Sequence, residues 1–472
     1  MTRGGDLGPG SSTAAQALAR FCVDVTWDSL PVDVRARAAE LTLGLLGVAI
    51  RGSTEASTGP VRAVVRGRTN ADGASGVGVR ERLLPSAAAL LNGAAAHALE
   101  LDDVTRESSL HPGVAVIPAA LAVAESRKAG GTAFVEAIVA GYEVMMRVGN
   151  ALNPESAYAR GFHPTGVAGA FGAAAAAARL MGLDKPGITN AIGIAGTMAS
   201  GSLEYLNDGS WTKRLNAGWA ASVGVTAAEL AAAGFTGPAS ALEGVLGVLH
   251  AYTDSPRRHL LTAGLGASYQ ITRVATKPYA CCRYNHGLID GVLAIRADHS
   301  VDPSAVRRIR LGVLSAGALL VADPIDAKRA PRTPVDAQFS APFAAAVALV
   351  HGAAGPLQYT QSVVDDPVVR ALMAVTDCYR SPDLDAGYPG RWPAAVEIEL
   401  TDGRSYKSHV EYALGEPENP LSGNAQRLRF HELVGDRLLP SRAARLEAQV
   451  MGLGQAASVR PIGDALRVAR TA

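Results

Sequence analysis

From residue 14 to about residue 266 apolar positions recur three and four apart with polar positions between them, the signature of amphipathic helices. Residues 31–50 set the pattern: a proline suited to a first helical turn precedes Leu41, Leu45 and Val48 on one stripe. Segments 86–99, 114–126, 132–152, 186–200, 215–233 and 238–249 read the same way, separated by loops rich in Gly, Pro, Asn and Asp. No fixed-period repeat is visible, which argues against a solenoid.

The stretch 160–184, RGFHPTGVAGAFGAAAAAARLMGLD, belongs at the centre of that helical part. Its six consecutive alanines, Ala173 to Ala178, have the best intrinsic helix propensity. Thr165 reads as the N-cap, and Gly166, Gly169 and Gly172 leave a bare face that admits a neighbouring backbone. His163 stands just before the cap, where free N–H groups favour an anion.

After about residue 268 the texture changes. Residues 308–314 alternate, as do 396–400 and 406–412, and Asp402-Gly403 between the last two runs is a hairpin signal. Helical segments at 285–299, 340–350 and 367–378 lie among them, and 428–451 reads as a closing helical pair. The expected fold is mainly α, with a large all-helical domain over 16–268 and a smaller α+β lid domain inserted over 269–415. Residues 416–472 would return as helices to the large domain, and 1–15 form a disordered lead-in.

Composition narrows the function. The chain has 472 residues, 48% apolar but 5% aromatic, so its core must be built from Ala, Val and Leu. A net charge of +1 argues against a nucleic-acid partner or a polybasic membrane role. The longest apolar runs fall short of the roughly 18 residues of a membrane span, and four cysteines give no disulfide framework. A cytoplasmic protein is expected.

Four clusters place titratable groups in loops or at helix ends. HALELDDVTRESSLHPG carries Asp102, Asp103, Thr105 and His111, and GFHPTG carries His163. NDGSWTKRLNAG opens a nearly uncharged helix with Lys213 and Arg214, and KPYACCRYNHGLID carries Lys277, Arg283 and His286. His97, inside an apolar helix, reads as a satisfied core histidine, and Cys281 and Cys282 as small buried hydrophobes. No zinc, haem, dinucleotide or P-loop spacing occurs, so neither a metal nor a cofactor is expected. Histidines with cations suit acid–base chemistry on a small carboxylate, the cations holding it and stabilising a carbanion while His moves the proton.

In order and spacing, NGAAAHALELDDVTRESSLHPG, GFHPTG, TKRLNAGWAA, KPYACCRYNHGLID, DAQFSAPFAAAVAL and GEPENPLS resemble the MmgE/PrpD family from about Ala17 to Leu453. That family is known for 2-methylcitrate dehydratase, cis-aconitate decarboxylase and iminodisuccinate epimerase. The resemblance implies a metal-free homodimeric enzyme whose site lies between a helical domain and an α+β lid. It implies that His111, His163, Lys213, Lys277 and Asp103–Thr105 line the site, the lysines holding carboxylates and a histidine the proton.

Four departures stand out. Glu100 replaces the family's usual aspartate, Asp103-Val104-Thr105-Arg106 stands where DDTH is often seen, and Phe343 stands where tyrosine is common. The decarboxylase branch has a histidine close after the lysine that corresponds to Lys277, and that neighbourhood here holds Cys281 and Cys282, with His286 further on. Of the three activities these fit cis-aconitate decarboxylation least. The leading expectation is therefore a cofactor-independent hydro-lyase of the 2-methylcitrate dehydratase type. An epimerase, a cis-aconitate-type decarboxylase and a catalytically lapsed binding paralogue remain the alternatives.

Overall fold

The computed structural model describes residues 12–467. Residues 1–11 of the disordered lead-in expected over 1–15, and residues 468–472, lie outside the described residues. The end of that lead-in is ordered instead: Thr13 caps the helix Ala14–Asp24, its hydroxyl accepting from the Gln16 N–H at 3.3 Å.

The protein is mainly helical. Its centre is the helix Pro164–Leu180, flanked by Gly113–Ser126, Gly131–Leu152, Lys185–Met198 and Thr212–Ala232. The three glycines work as read, with one refinement. A spacing of three residues turns about 60° short of a full helical circle, so each glycine meets a different neighbour. A Cβ at Gly166 would come 2.5 Å from the Ser200 carbonyl, one at Gly169 2.9 Å from Ala115, and one at Gly172 2.5 Å from Met145. Alanines and glycines thus replace the bulky residues this chain lacks, and helices pack at backbone contact.

Thr165 is not the N-cap. His163 occupies that position without a side-chain cap bond, and the Thr165 hydroxyl instead accepts from the His111 N–H at 3.1 Å. The pull of a tertiary partner outweighs the local cap.

Two departures from the helical reading occur early in the chain. Residues 238–249 are mostly turns, with a short helix only at Val248–Tyr252, because the Gly237 backbone packs directly on Gly193 and Gly244 and Gly247 remove helix propensity. A small strand pair, β1 (Thr69–Ser75) with β2 (Arg82–Leu83), also lies among the helices. Its Gly- and Asn-containing sequence has little strand character, and Glu125 holds it by accepting from the Ser75 N–H at 2.8 Å and hydroxyl at 2.7 Å.

The larger sheet is formed by β3 (Val306–Gly312), β4 (Thr376–Tyr379), β5 (Ala394–Leu400) and β6 (Ser405–Val410), in the order β4-β3-β5-β6. The β5–β6 hairpin turns where Asp402-Gly403 requires, with Gly403 at φ 89°. The sequence predicts a helix over 367–378, but that helix stops at Ala374 and residues 376–379, in β4, pair in parallel with Ile309 to Gly312. Parallel pairing with a distant strand leaves no local signal. The helix His286–His299 lies on β5, where a Cβ at Gly287 or Gly291 would fall 2.8 Å from Ala394 or Val396.

The closing pair forms as Gly423–Val434 and Pro440–Met451, and both helices pack on Val32–Gly52. Phe430 fills the space above Gly47 there. Among the described residues no helix is long and apolar enough to cross a membrane.

Candidate active site

A narrow cavity opens where the chain around Glu100–His111 meets the starts of two helices and the segment leading into His286–His299. Glu100, His111, His163, Lys213, Lys277 and Arg283 line its polar side. Three local devices assemble it. Val104 and Ala275 exchange backbone hydrogen bonds of 3.0 and 2.8 Å, which brings the first loop beside the chain carrying Lys277. The Thr165 hydroxyl anchors His111 to the helix that His163 caps. Lys213 projects from the first turn of Thr212–Ala232, whose small residues let that helix start close to the loop.

Glu100 is the centre of charge. Its carboxylate pairs with Lys213 through one oxygen and with Lys277, at 3.2 Å, through the other, all three side chains being buried. Burial alone would raise the Glu100 pKa, but Lys213, Lys277 and the nearby His97 and His111 hold it well below the ordinary carboxylate range. Burial likewise opposes the charge on Lys277, and Glu100 and Asp102 reverse this and raise its pKa above the ordinary value. The triad is a fixed set of charges in a water-poor site, where electrostatic effects are large.

The two cavity histidines are neutral near pH 7. Burial lowers His111 to about 4, against the pull of Asp102 and with help from Lys277. Burial, then Lys213 and the neighbouring histidines, push His163 well below its usual value. Behind them Asp102 lies 2.7 Å from His111 Nδ1 and 3.1 Å from His97 Nδ1. These contacts have ion-pair distance but not hydrogen-bond alignment, since neither oxygen of Asp102 nor either nitrogen of His97 has a hydrogen-bond partner among the described residues. His97 is therefore buried as expected, but not satisfied.

His97, Asp102 and His111 also offer ligand atoms within 4.8 Å of one another, a spacing that could hold a metal ion. The Lys277 charge acts on the same carboxylate and opposes a cation there.

The other expected site residues sit behind the walls. Asp103 accepts from the Gly113 N–H at 2.9 Å and the Tyr142 hydroxyl at 2.6 Å, and burial raises its pKa to about 6. It clamps the start of Gly113–Ser126 and so sets where His111 stands. Thr105 contacts the Ser108 hydroxyl and is buried. Arg214 turns to the Ser57 hydroxyl at 2.7 Å, and His286 lies 3.3 Å from the Cys281 carbonyl with its ring against Tyr279. Arg283 does line the cavity, paired with Glu416, which in turn lies 3.4 Å from Arg106.

Sequence reasoning passed over Glu100 as a catalytic-pocket residue, and with it an aromatic wall: Tyr158, Tyr205, Tyr284, Phe339 and Trp392. The left-handed backbone of Glu100, φ 54°, gives no sequence signal in a non-glycine residue. The aromatics come from five separate parts of the chain. Cys281 and Cys282 are buried as read, and burial pushes the Cys281 thiol up to about 12. Cys282 nevertheless reaches the cavity wall. A wider groove of ≈ 1340 Å³ around Phe235 and Leu246 has no charged side chain in its lining and offers no comparable chemistry.

Comparison with known proteins places the chain in a family. The family model described as MmgE/PrpD N-terminal domain matches residues 16–260, and that of the MmgE/PrpD C-terminal domain matches residues 279–454. The chain is 28% identical to a cis-aconitate decarboxylase-like protein, oryM, of Aspergillus oryzae, over 96% of this chain and 97% of that protein. It is 28% identical to a cis-aconitate decarboxylase of Aspergillus terreus over 83% of each chain. It is 27% identical to the human cis-aconitate decarboxylase over 72% of this chain and 71% of that one.

Proposed function

The chain belongs to the MmgE/PrpD family, and on that premise we propose that it is a lyase removing CO₂ from a small unsaturated tricarboxylate of the cis-aconitate type. The observation that carries the reading is the cavity in which Lys213 and Lys277 share the wall with two neutral imidazoles, His111 and His163. The names of the relatives support decarboxylation over the dehydration that the departures from the family pattern had favoured.

The chemistry follows from the charges. Lys213 and Lys277 hold carboxylates, with Arg283 at the edge. The bond between a methylene carbon and its carboxylate breaks, CO₂ leaves, and the released pair becomes a new C=C. The old double bond shifts, and the carbon α to a remaining carboxylate takes one proton. The lysines stabilise the charge spreading into that carboxylate while it lasts. The proton comes from the His111–His163 side, because an entering polyanion raises the pKa of both imidazoles and lets one of them hold a proton. Residues 269–415 act as the lid of this site, a reading supported by its mixed walls: Lys277, Arg283, Tyr284 and Trp392 come from that part of the chain. The active unit is a homodimer, in which the exposed stripe Trp211, Leu215 and Trp219 meets a second copy.

A second reading, loss of water from a methylcitrate-type hydroxy acid, is favoured by Cys282 in the wall where the decarboxylase branch has a histidine nearby. Proton NMR in deuterated water decides. Incubation with cis-aconitate should release CO₂ and give the paired signals of a terminal =CH₂. Collapse of the methylcitrate methyl doublet to the singlet of a methyl group on a C=C, with no product from cis-aconitate, would replace decarboxylation by dehydration. Exchange of an α proton without loss of a group would indicate epimerisation, and ligand-induced stabilisation without any reaction would leave a binding protein.

A further inference from the structure

The charged cavity shares part of its wall with another space. Tyr158, Leu203 and Leu320 line it and also line a second hollow of ≈ 1070 Å³ that continues outward. Leu206, Leu319 and Tyr388 extend the apolar surface of that hollow. Leu319 is 73% exposed although Ala318 and Val321 of its own helix are buried, so an aliphatic side chain is held out into the hollow. Beside this shared stretch Tyr284 stacks on Trp392 at 4.1 Å and 7°, and Tyr388 continues the stack at 6.1 Å.

Charge is segregated along this path. Lys213, Lys277 and Arg283 stand at the inner end. Among the described residues no cation lines the outer hollow, whose acidic side chains are Glu155 and Asp385. Asp385 is tied to Ser315, accepting from its N–H at 2.9 Å and its hydroxyl at 2.6 Å. A bare tricarboxylate, charged on every side, is best drawn in along a cationic path. An apolar path with acidic rims suits a molecule whose carboxylates are gathered at one end.

We propose that the substrate is a polycarboxylate bearing an alkyl tail, its carboxylates at Lys213 and Lys277 and its tail in the groove of Leu203, Leu206, Leu319 and Leu320. This rests on the lyase reading above and names its substrate class. The carboxylated head enters first, and the reacting carbons lie where the polar and apolar walls meet. Each methylene that enters the groove leaves water, and full burial of one corresponds to roughly fourfold in affinity. A half-open groove should yield about two- to fourfold per carbon.

The test uses the full chain and two series of ligands. The first is cis-aconitate and its methyl, butyl and hexyl derivatives, followed by NMR. The second is the saturated tricarballylates with the same chains, which cannot react, followed by calorimetry. Expected are a kcat/KM that climbs with chain length and a Kd that tightens in parallel. Turnover of cis-aconitate with no gain, or a loss, beyond methyl overturns the tail site and leaves the lyase reading standing. Tightening Kd without any turnover upholds the tail site and removes the lyase reading. Leu319→Glu, at a position exposed enough to tolerate the change, should lower the ratio of hexyl to unsubstituted kcat/KM at least tenfold. An unchanged ratio, with or without a change in oligomeric state, overturns the assignment.

Discussion

Glu100 and Lys277, 177 positions apart in sequence, meet at 3.2 Å inside the cavity, and the same carboxylate pairs with Lys213. Removing the carboxylate charge would leave two buried ammonium groups facing each other. Glu100→Gln should therefore cost about 3–5 kcal/mol of stability, the usual result of breaking a buried pair from one side. A tricarboxylate ligand should restore part of that by supplying a carboxylate of its own. Thermal unfolding with and without tricarballylate reads both effects; a melting temperature unmoved by the substitution would remove the triad as a source of stability.

The histidines and lysines should separate kinetically. His111→Gln and His163→Gln are expected to lower kcat roughly 10²–10⁴-fold, the range of general acid–base contributions, with KM little changed. Lys213→Ala should raise KM or abolish turnover, because it removes a carboxylate contact made before reaction. Steady-state kinetics on the substrate that NMR identifies would check this, and a histidine variant with near-normal kcat would leave the proton-handling role unfilled.

The depressed His111 pKa predicts proton uptake on binding. Free His111 titrates at about 4 and is neutral at pH 6–7, and a bound polyanion raises that value. Calorimetry of tricarballylate binding in buffers of different ionisation enthalpy should show net protons taken up, more at pH 6 than at pH 8. For stability the sign is definite. A histidine depressed in the fold leaves the unfolded state binding more protons between about 4 and 6.5. His111 therefore makes stability fall as pH drops through that window. Asp103, raised to about 6, acts oppositely, since the fold binds its proton more tightly. His111→Gln should remove the first slope, and an unchanged acid profile would refute it.

Although His97, Asp102 and His111 have the spacing of metal ligands, Lys277 bears on the same carboxylate. Dialysis against a strong chelator is expected to leave turnover and melting temperature where they were. Loss of activity restored by one divalent metal would assign those three residues to an ion instead.

Trp211, Leu215 and Trp219 are each more than two-fifths exposed, at 46%, 43% and 45%, on successive turns of one helix end. The proposed homodimer should be seen in sedimentation at micromolar concentration, and Trp219→Glu should shift it to monomer; a monomeric unsubstituted chain would overturn the dimer. A dimer of undiminished strength would place the contact elsewhere.

Much of the architecture is written locally. The alanine run and its glycines dictate a central helix that neighbours can touch, and alternation with Asp402-Gly403 dictates the β5–β6 hairpin. His111, His163, Lys213, Lys277 and Arg283 were legible as chemistry because they are titratable groups in loops and at helix starts, in motifs that resemble one family. The structure brings all five to one cavity. Asp103, Thr105, Arg214 and His286 looked the same in sequence, and their side chains turn to Tyr142, Ser108, Ser57 and the Cys281 carbonyl instead. Direction of a side chain depends on backbone geometry several elements away.

Tertiary structure alone decided the rest. It made Glu100 the hub of two lysines, moved Thr165 from capping a helix to holding His111, and turned residues 376–379 into a strand. It also joined Tyr158, Leu203 and Leu320 into a wall shared by a charged cavity and an apolar groove. Helix periodicity, caps and turns are contests among residues a few positions apart, so the sequence by itself determines them. Burial, charge pairing and the shape of a pocket are contests among residues a hundred or more positions apart, as the separations of 113 and 177 between Glu100 and its lysines measure. Their outcome exists only once the chain has closed.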